Sequence, residues 1–145
     1  MVSKVDGTDS RDVQALQAYL NEYGQQAEVL SRQLDFMERQ RMESMAAIDA
    51  LKTLATEKQS VILVPIGGGT TIRAQIIDPD NVLVNIGADV VIKRKNTEAI
   101  GFLEDRIKEL EVLEKRVGDS LEQVRGQINE IAKRIDQEYR KAQVG

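Results

Sequence analysis

The stretch that decides the fold is residues 60–95, which read SVILVPIGGGTTIRAQIIDPDNVLVNIGADVVIKRK. It holds both prolines of the chain, Pro65 and Pro79, and a run of three glycines at 67–69. Four short segments rich in Val, Ile and Thr alternate with these turn-forming residues, and β-branched side chains favour strands. The stretch therefore predicts four strands arranged as two β-hairpins.

The sequence on either side has the apolar period of long helices. Apolar residues recur in alternating steps of three and four, which is the spacing of a coiled-coil seam. The first seam consists of Val13, Leu16, Leu20, Tyr23, Ala27, Leu30, Leu34 and Met37. The second consists of Ile100, Leu103, Ile107, Leu110, Val117, Leu121, Val124, Ile128, Ile131 and Ile135. Asn96 or Thr97 is the predicted N-terminal cap of the second helix, because short polar side chains accept hydrogen bonds from first-turn N–H groups.

The order helix, hairpins, helix predicts an α+β fold: a long antiparallel coiled-coil hairpin with a central insert of two β-hairpins. The predicted segments, which form one domain, are a flexible tail at 1–9, a first helix at 10–57, a hairpin region at 58–96 and a second helix at 97–143. Four short strands do not close a core alone, and their open edges invite pairing. Either the coiled coil covers the hairpins or other subunits complete the sheet; we favour the second.

Two charged residues occupy seam positions and predict the register of the coiled coil. Arg41 is the fourth seam layer counted back from Ala55, and Glu114 is the fourth counted forward from Ile100. If Ala55 faces Ile100, the arginine meets the glutamate, and polar seam residues are known to fix register. The alternative is that both side chains pass the edge of the seam and never meet.

The composition excludes most catalytic chemistry. The 145 residues include no Cys, His or Trp, so thiolate, imidazole and disulfide chemistry are absent. The three-glycine run lacks the lysine of a phosphate-binding loop and leads into a strand. The sequence predicts no enzyme, no cofactor and no metal site.

Charge and hydropathy limit the partners and the location. A net charge of −4 with a pI near 5.0 argues against a nucleic-acid binder. No apolar run approaches the roughly 18 residues that a membrane span needs. We expect a cytoplasmic protein that contacts neither nucleic acid nor membrane.

Three glycines within the predicted helices indicate that the two paired helices, here called the arms, are flexible. Gly24, Gly118 and Gly126 lie far from the hairpins in the sequence, and each costs a helix about 1 kcal/mol relative to alanine. A helix pair that softens exposes its seam leucines and isoleucines, and adaptable apolar surfaces suit promiscuous recognition. The sequence thus favours binding at the free ends of the arms over a purely static strut.

The middle of the chain resembles the prefoldin alpha subunit of the archaeal type. The resemblance is carried by LVPIGGG at 63–69, NVLVNIGADV at 81–90 and EAIGFL at 98–103. It extends over nearly the whole chain, and two hairpins rather than one point to alpha and away from the smaller beta subunit.

This resemblance implies a subunit of a hexamer of two alpha and four beta chains, whose hairpins complete a double β-barrel. It implies an ATP-independent chaperone, a holdase, that binds non-native polypeptides at the tips of its coiled coils and passes them to a group II chaperonin. Some relatives form homo-oligomers or filaments, and the sequence leaves that choice open.

Carried onto this chain, the resemblance assigns assembly to the hairpins and client contact to the ends of the arms. The predicted assembly residues are Val61, Leu63, Pro65, Ile72, Ile76, Val82, Val84, Ile86, Val90 and Ile92. The predicted client-binding residues are Val13, Leu16, Tyr19, Leu20, Ile131, Ile135 and Tyr139. The rival interpretation is a structural coiled-coil spacer or adaptor with one defined partner and no chaperone activity. It predicts a rigid seam, and the interior glycines count against it.

Overall fold

The fold consists of two long helices that flank two β-hairpins. The computed structural model describes residues 2–57 and 61–144, and the side chains of residues 11–57 and 61–143. The elements are α1 (Val2–Thr56), β1 (Val61–Gly67), β2 (Thr70–Gln75), β3 (Asn81–Gly87), β4 (Val90–Lys95) and α2 (Asn96–Val144). This order confirms the fold class predicted from the sequence.

The helix ends differ from the predicted bounds. The α1 helix begins at Val2, so the backbone of residues 2–9 is helical within the tail that we predicted to be flexible, and residue 1 lies outside the described residues. No proline interrupts this segment, and a lone glycine in a helix costs only about 1 kcal/mol. The α2 helix begins at Asn96, directly after β4, and extends to Val144.

The chain forms two compact units. Unit 1 comprises Met1–Glu38 and Val112–Gly145, and unit 2 comprises Arg39–Glu111. Unit 1 thus joins the start of α1 to the end of α2, while unit 2 joins the end of α1 to the start of α2 and contains both hairpins. This order of pairing is that of an antiparallel helical hairpin. The expectation of a single domain stays a prediction.

The predicted seam is the half-buried face of both helices in unit 1. Every seam residue from Val13 to Met37 is half-buried, and most residues between them are exposed. On α2, Leu121 is buried, and the seam residues from Val124 to Ile135 are half-buried. Each methylene buried in this way contributes about 0.8 kcal/mol. The apolar stripe therefore stabilises these helices more than their intrinsic propensity does.

The two hairpins are built alike. Strands β1 and β2 pair antiparallel, as do β3 and β4, and each pair forms its own two-stranded sheet. Each residue of the first hairpin has a counterpart twenty positions later, so that Val61 corresponds to Asn81 and Gln75 to Lys95. Both hairpins also shift register at the same place, before Gly67 and before Gly87. The chain contains an internal repeat of one hairpin.

The two turns have the same backbone but different residues. Gly68 and Gly69 have φ of +59° and +75°, while Ala88 and Asp89 have φ of +50° and +60°. Two successive positive φ values are those of a type I′ turn, which matches the twist of the strands. Glycine adopts this conformation freely, whereas Ala88 adopts it at a steric cost. The second hairpin thus forms its turn with the less suitable residues.

Asn96 connects three parts of unit 2. Its Nδ2 donates to the carbonyl oxygen of Leu51 at 3.0 Å and to that of Pro79 at 3.1 Å. Its backbone N–H donates to the carbonyl oxygen of Asp80 at 2.8 Å. The residue is only 4% exposed. The end of α1, the connection between the hairpins and the start of α2 are therefore joined through one side chain.

The predicted capping role of Asn96 or Thr97 is wrong. Both residues already lie within the first turn of α2, whereas a cap precedes it. The Oδ1 of Asn96, the atom that a cap would use, is buried and accepts no hydrogen bond in the described part of the chain. Instead, the backbone N–H of Lys95 donates to Oε2 of Glu98 at 3.4 Å, which is the glutamate half of a capping box.

Candidate functional site

Each hairpin presents two chemically different faces. Directly opposed residues in an antiparallel pair share a face, and successive residues alternate between faces. The first face, here called the apolar face, consists of Ile62, Val64, Thr70, Ile72 and Ala74 in the first hairpin and Val82, Val84, Val90, Ile92 and Arg94 in the second. The second, here called the leucine face, consists of Val61, Leu63, Pro65, Thr71, Arg73 and Gln75 in the first hairpin and Asn81, Leu83, Asn85, Val91, Lys93 and Lys95 in the second.

The apolar face is partly covered and the leucine face is open. On the apolar face most side chains are half-buried, although Ile72 remains 49% exposed and Val90 48%. On the leucine face nearly every side chain is exposed, including Leu63 and Leu83. The apolar face is the more hydrophobic of the two.

The structure divides the predicted assembly residues between these faces. Four residues of the second hairpin, Val82, Val84, Val90 and Ile92, share the apolar face with Ile72. In contrast, Val61, Leu63 and Pro65 lie on the leucine face. Ile86 lies at the register shift of β3, and Ile76 follows β2 as a half-buried residue. Ile62 and Ala74 also belong to the apolar face, and aligning the two hairpins at the twenty-residue repeat identifies them.

The predicted client-binding residues all lie in unit 1. Five of them, Val13, Leu16, Leu20, Ile131 and Ile135, are half-buried along the seams. The two tyrosines are more accessible, with Tyr19 55% exposed and Tyr139 51%. The unit therefore combines immediately available aromatic surface with apolar side chains that a change in helix packing would uncover.

A second exposed apolar stripe lies on α1, away from the seam. Val29 and Phe36, seven residues apart, are 52% and 61% exposed. They line two shallow grooves of about 500 and 300 Å³ that share Val29. Val29 and Phe36 are two helical turns apart, so both lie on one side of the helix, away from the seam. This spacing is the sequence signal that could have identified Phe36.

The predicted register pair stays a prediction. Arg41 belongs to unit 2 and Glu114 to unit 1, and both side chains are half-buried. The guanidinium of Arg41 also lies 3.9 Å from the sulfur of Met45, one helical turn further on. Partial burial of both charges is what a pairing in the seam requires.

The second turn lines an open cleft in unit 2. Residues 85–89 form one wall, and Phe102, Asp105, Arg106 and Glu109 of α2 form the other, around about 700 Å³. The lining carries carboxylates beside one guanidinium but no thiol, imidazole or hydroxyl nucleophile. Within the described ranges there is also no group of His, Cys, Asp or Glu side chains arranged to hold a metal ion. Neither helix, as far as it is described, has a stretch long and apolar enough to span a bilayer.

Comparison with known proteins agrees with this architecture. Residues 23–141 match the family model described as prefoldin subunit. Prefoldin subunit alpha of Methanoregula boonei is 50% identical over 137 residues, covering 94% of this chain and 90% of the relative. Prefoldin subunit alpha of Methanoculleus marisnigri is 49% identical over 138 residues, covering 95% and 93%.

A solved structure shares the fold. The filamentous PFD from Methanocaldococcus jannaschii, solved by cryo-electron microscopy, matches with a TM-score of 0.68 and 20% sequence identity, covering 81% of this chain and 98% of that one. The extent of the family match and the near-complete coverage of the curated relatives confirm the resemblance seen in the sequence. This chain belongs to the prefoldin family.

Proposed function

We propose that this chain is the alpha-type subunit of an ATP-independent holdase, assembled from two alpha and four beta chains. The observation that carries this proposal is the state of the hairpins. Each is a separate two-stranded sheet whose outer edges pair with no other described strand. Isolated two-stranded sheets are only marginally stable in water. Strands from partner subunits would satisfy these edges and cover the apolar face.

Client binding is assigned to unit 1. Tyr19 and Tyr139 expose aromatic surface in this unit, and the stripe of Val29 and Phe36 exposes further apolar surface on α1. Non-native polypeptides offer exposed apolar side chains in variable arrangements, so an extended apolar surface binds them without a shaped pocket. In this proposal the seam residues add to the surface when the helices separate.

The interior glycines favour a holdase over a static spacer. A Cβ added at Gly24, Gly118 or Gly126 would meet no atom within 4 Å. Close packing therefore does not require glycine at these positions, although alanine would stabilise each helix by about 1 kcal/mol. A spacer gains nothing from this weakness, whereas an arm that adapts to differing clients does.

Holding a client by apolar contact consumes no nucleotide, so release needs a second component. A group II chaperonin in the cytoplasm is the proposed recipient, as the family resemblance implies. The family relationship and the absence of a nucleotide-binding motif in the sequence support this part of the proposal.

Two measurements on one preparation test the function. The chain is mixed with a beta-type prefoldin subunit and its native mass is determined, and the complex is then added to a diluted denatured protein without nucleotide. We expect a single hexamer that suppresses aggregation. A hexamer that leaves aggregation unchanged would favour the spacer, and suppression that requires ATP would contradict the mechanism.

A further inference from the structure

The leucine face of each hairpin exposes apolar surface that the proposed assembly does not use. Leu63 is 66% exposed and Leu83 is 75% exposed. We propose that the two leucine faces dock an extended polypeptide segment that presents both acidic and apolar residues on the same side, at every second position. This inference rests on the proposed function, which assigns the opposite, apolar face to assembly.

The positive charge of the leucine face indicates that its partner is negatively charged. Arg73, Lys93 and Lys95 lie on it and are exposed. The four strands contain no Asp or Glu, although the whole chain has a net charge of −4. Three of the four cations in the strands therefore lie on this face, the fourth being Arg94 opposite Val82 on the apolar face, and no acidic residue of the strands compensates them. Such complementarity steers an acidic partner and discriminates against a basic one.

The pairing of leucine with a cation occurs twice in the chain. Leu63 is directly opposite Arg73 in the first hairpin, and Leu83 is directly opposite Lys93 in the second. The neighbouring positions of the repeat differ: Val61 corresponds to Asn81, and Pro65 to Asn85. The leucine–cation pair thus recurs although its neighbours on the face differ, so the two hairpins offer the same chemistry at this pair.

A polypeptide fits this surface better than a nucleic acid. Sheets that bind single-stranded nucleic acids stack bases on aromatic side chains, and the four strands contain none. Leucine packs against aliphatic groups, while the neighbouring cations pair with carboxylates. An extended segment places every second side chain on one side, at about 7 Å intervals, which matches the spacing along a strand.

Fluorescence anisotropy on the assembled complex tests the proposal. Two labelled synthetic peptides of equal length are compared: the Glu–Leu peptide repeats Glu-Ser-Leu-Ser and the Lys–Leu peptide repeats Lys-Ser-Leu-Ser, so that each extended peptide carries its charged and apolar side chains on one side. The Glu–Leu peptide should bind, and added salt should weaken it because exposed charges are screened. The Lys–Leu peptide should not bind. Leu83→Ser should weaken binding of the Glu–Leu peptide about tenfold, as loss of an apolar anchor does.

Charge variants and native mass separate docking from assembly. Lys93→Glu should lower affinity at low salt while the mass of the complex stays unchanged; Lys93→Gln is the milder variant if the reversal prevents folding. Combining Leu63→Ser with Leu83→Ser should abolish measurable binding. If the wild-type chain forms no hexamer, the proposed function fails, but the peptides still test docking on the full chain alone.

Four results would overturn the docking proposal. The first is that the leucine and lysine variants bind the Glu–Leu peptide as tightly as wild type does. The second is that both peptides bind equally well. The third is that single-stranded RNA or anionic vesicles compete more effectively than unlabelled peptide. The fourth is loss of the hexamer on Leu83→Ser, which would put the leucine face inside the assembly.

Discussion

The side-chain amide of Asn96 donates a 3.0 Å hydrogen bond to the backbone carbonyl of Leu51, 45 residues earlier in the chain. The same nitrogen reaches the carbonyl oxygen of Pro79. Both contacts lie in a part of unit 2 where few side chains are buried, with Asn96 and Ala99 among them. This polar contact therefore links the end of α1 to the start of α2.

Replacing Asn96 tests the importance of this contact. Asn96→Ala should lower the free energy of unfolding by about 1–3 kcal/mol, since two carbonyl groups lose a shared donor. Asn96→Asp should cost more, because it also places a carboxylate in a buried position facing carbonyl oxygens. Urea denaturation of both variants measures the difference. Thr97→Ala is the matched control, because its side chain is exposed in the same turn; equal effects at the two positions would contradict the assigned role.

The turn of the second hairpin can be improved. Replacing Ala88 with Asn and Asp89 with Gly gives the preferred type I′ sequence and should raise stability by about 1 kcal/mol, since residues other than glycine pay roughly 1–2 kcal/mol at positive φ. Gly68→Ala should have the opposite effect in the first hairpin, because a Cβ there meets no atom within 4 Å and only the backbone cost remains. Thermal denaturation of the chain compares the two. A Gly68→Ala variant as stable as wild type would contradict the argument.

Stiffening the arms should separate stability from activity. Gly24→Ala, Gly118→Ala and Gly126→Ala should each add about 1 kcal/mol to helix stability. Combined, they should raise the unfolding temperature and weaken the suppression of aggregation. Gly101→Ala, in the first turns of α2 within unit 2, is the control, since its Cβ also meets no atom within 4 Å. If the stiffened arms protect clients as well as wild type does, softness has no part in the mechanism.

The predicted pair of Arg41 and Glu114 calls for a double-mutant cycle. Alanine at either position and at both, compared by chemical denaturation, should reveal a coupling of about 0.5–1 kcal/mol that falls with salt. The coupling is expected to be modest because both side chains are only half-buried. If the effects of the two alanine substitutions are additive, the two side chains do not interact and the register hypothesis is wrong.

Assembly should depend on one face of β3 and not on the other. Val84→Ser, on the apolar face, should abolish the hexamer, because it places a hydroxyl where partner side chains would pack. Leu83→Ser, one residue earlier on the leucine face, should leave the mass unchanged. Native mass spectrometry of the two complexes makes the comparison. Loss of assembly in both variants, or in neither, would contradict the assignment of faces.

The sequence predicted the helices, their seams and both hairpins because each carries a periodic or turn-forming pattern of its own. The seam from Val13 to Met37 needed only spacing, and the structure finds each of these residues half-buried. The role of Asn96 was beyond such reasoning, since its partners at Leu51 and Pro79 are distant in the chain. Val61 and Leu63 were grouped with Ile72 because composition alone does not assign a face. That assignment needs the register, which places Ile72 opposite Val64.

The twenty-residue repeat has a consequence for how many neighbours one chain can recruit. In the proposed assembly, a chain with one hairpin would offer a single attachment point, whereas this chain, with two hairpins built alike, would offer two. Once the first hairpin has engaged a partner, the second searches at an effective concentration in the millimolar range. Such a chain would bridge neighbours and nucleate the proposed complex, while a chain with one attachment point would complete it. The ratio of the two kinds of chain would then decide whether growth closes into a particle or continues.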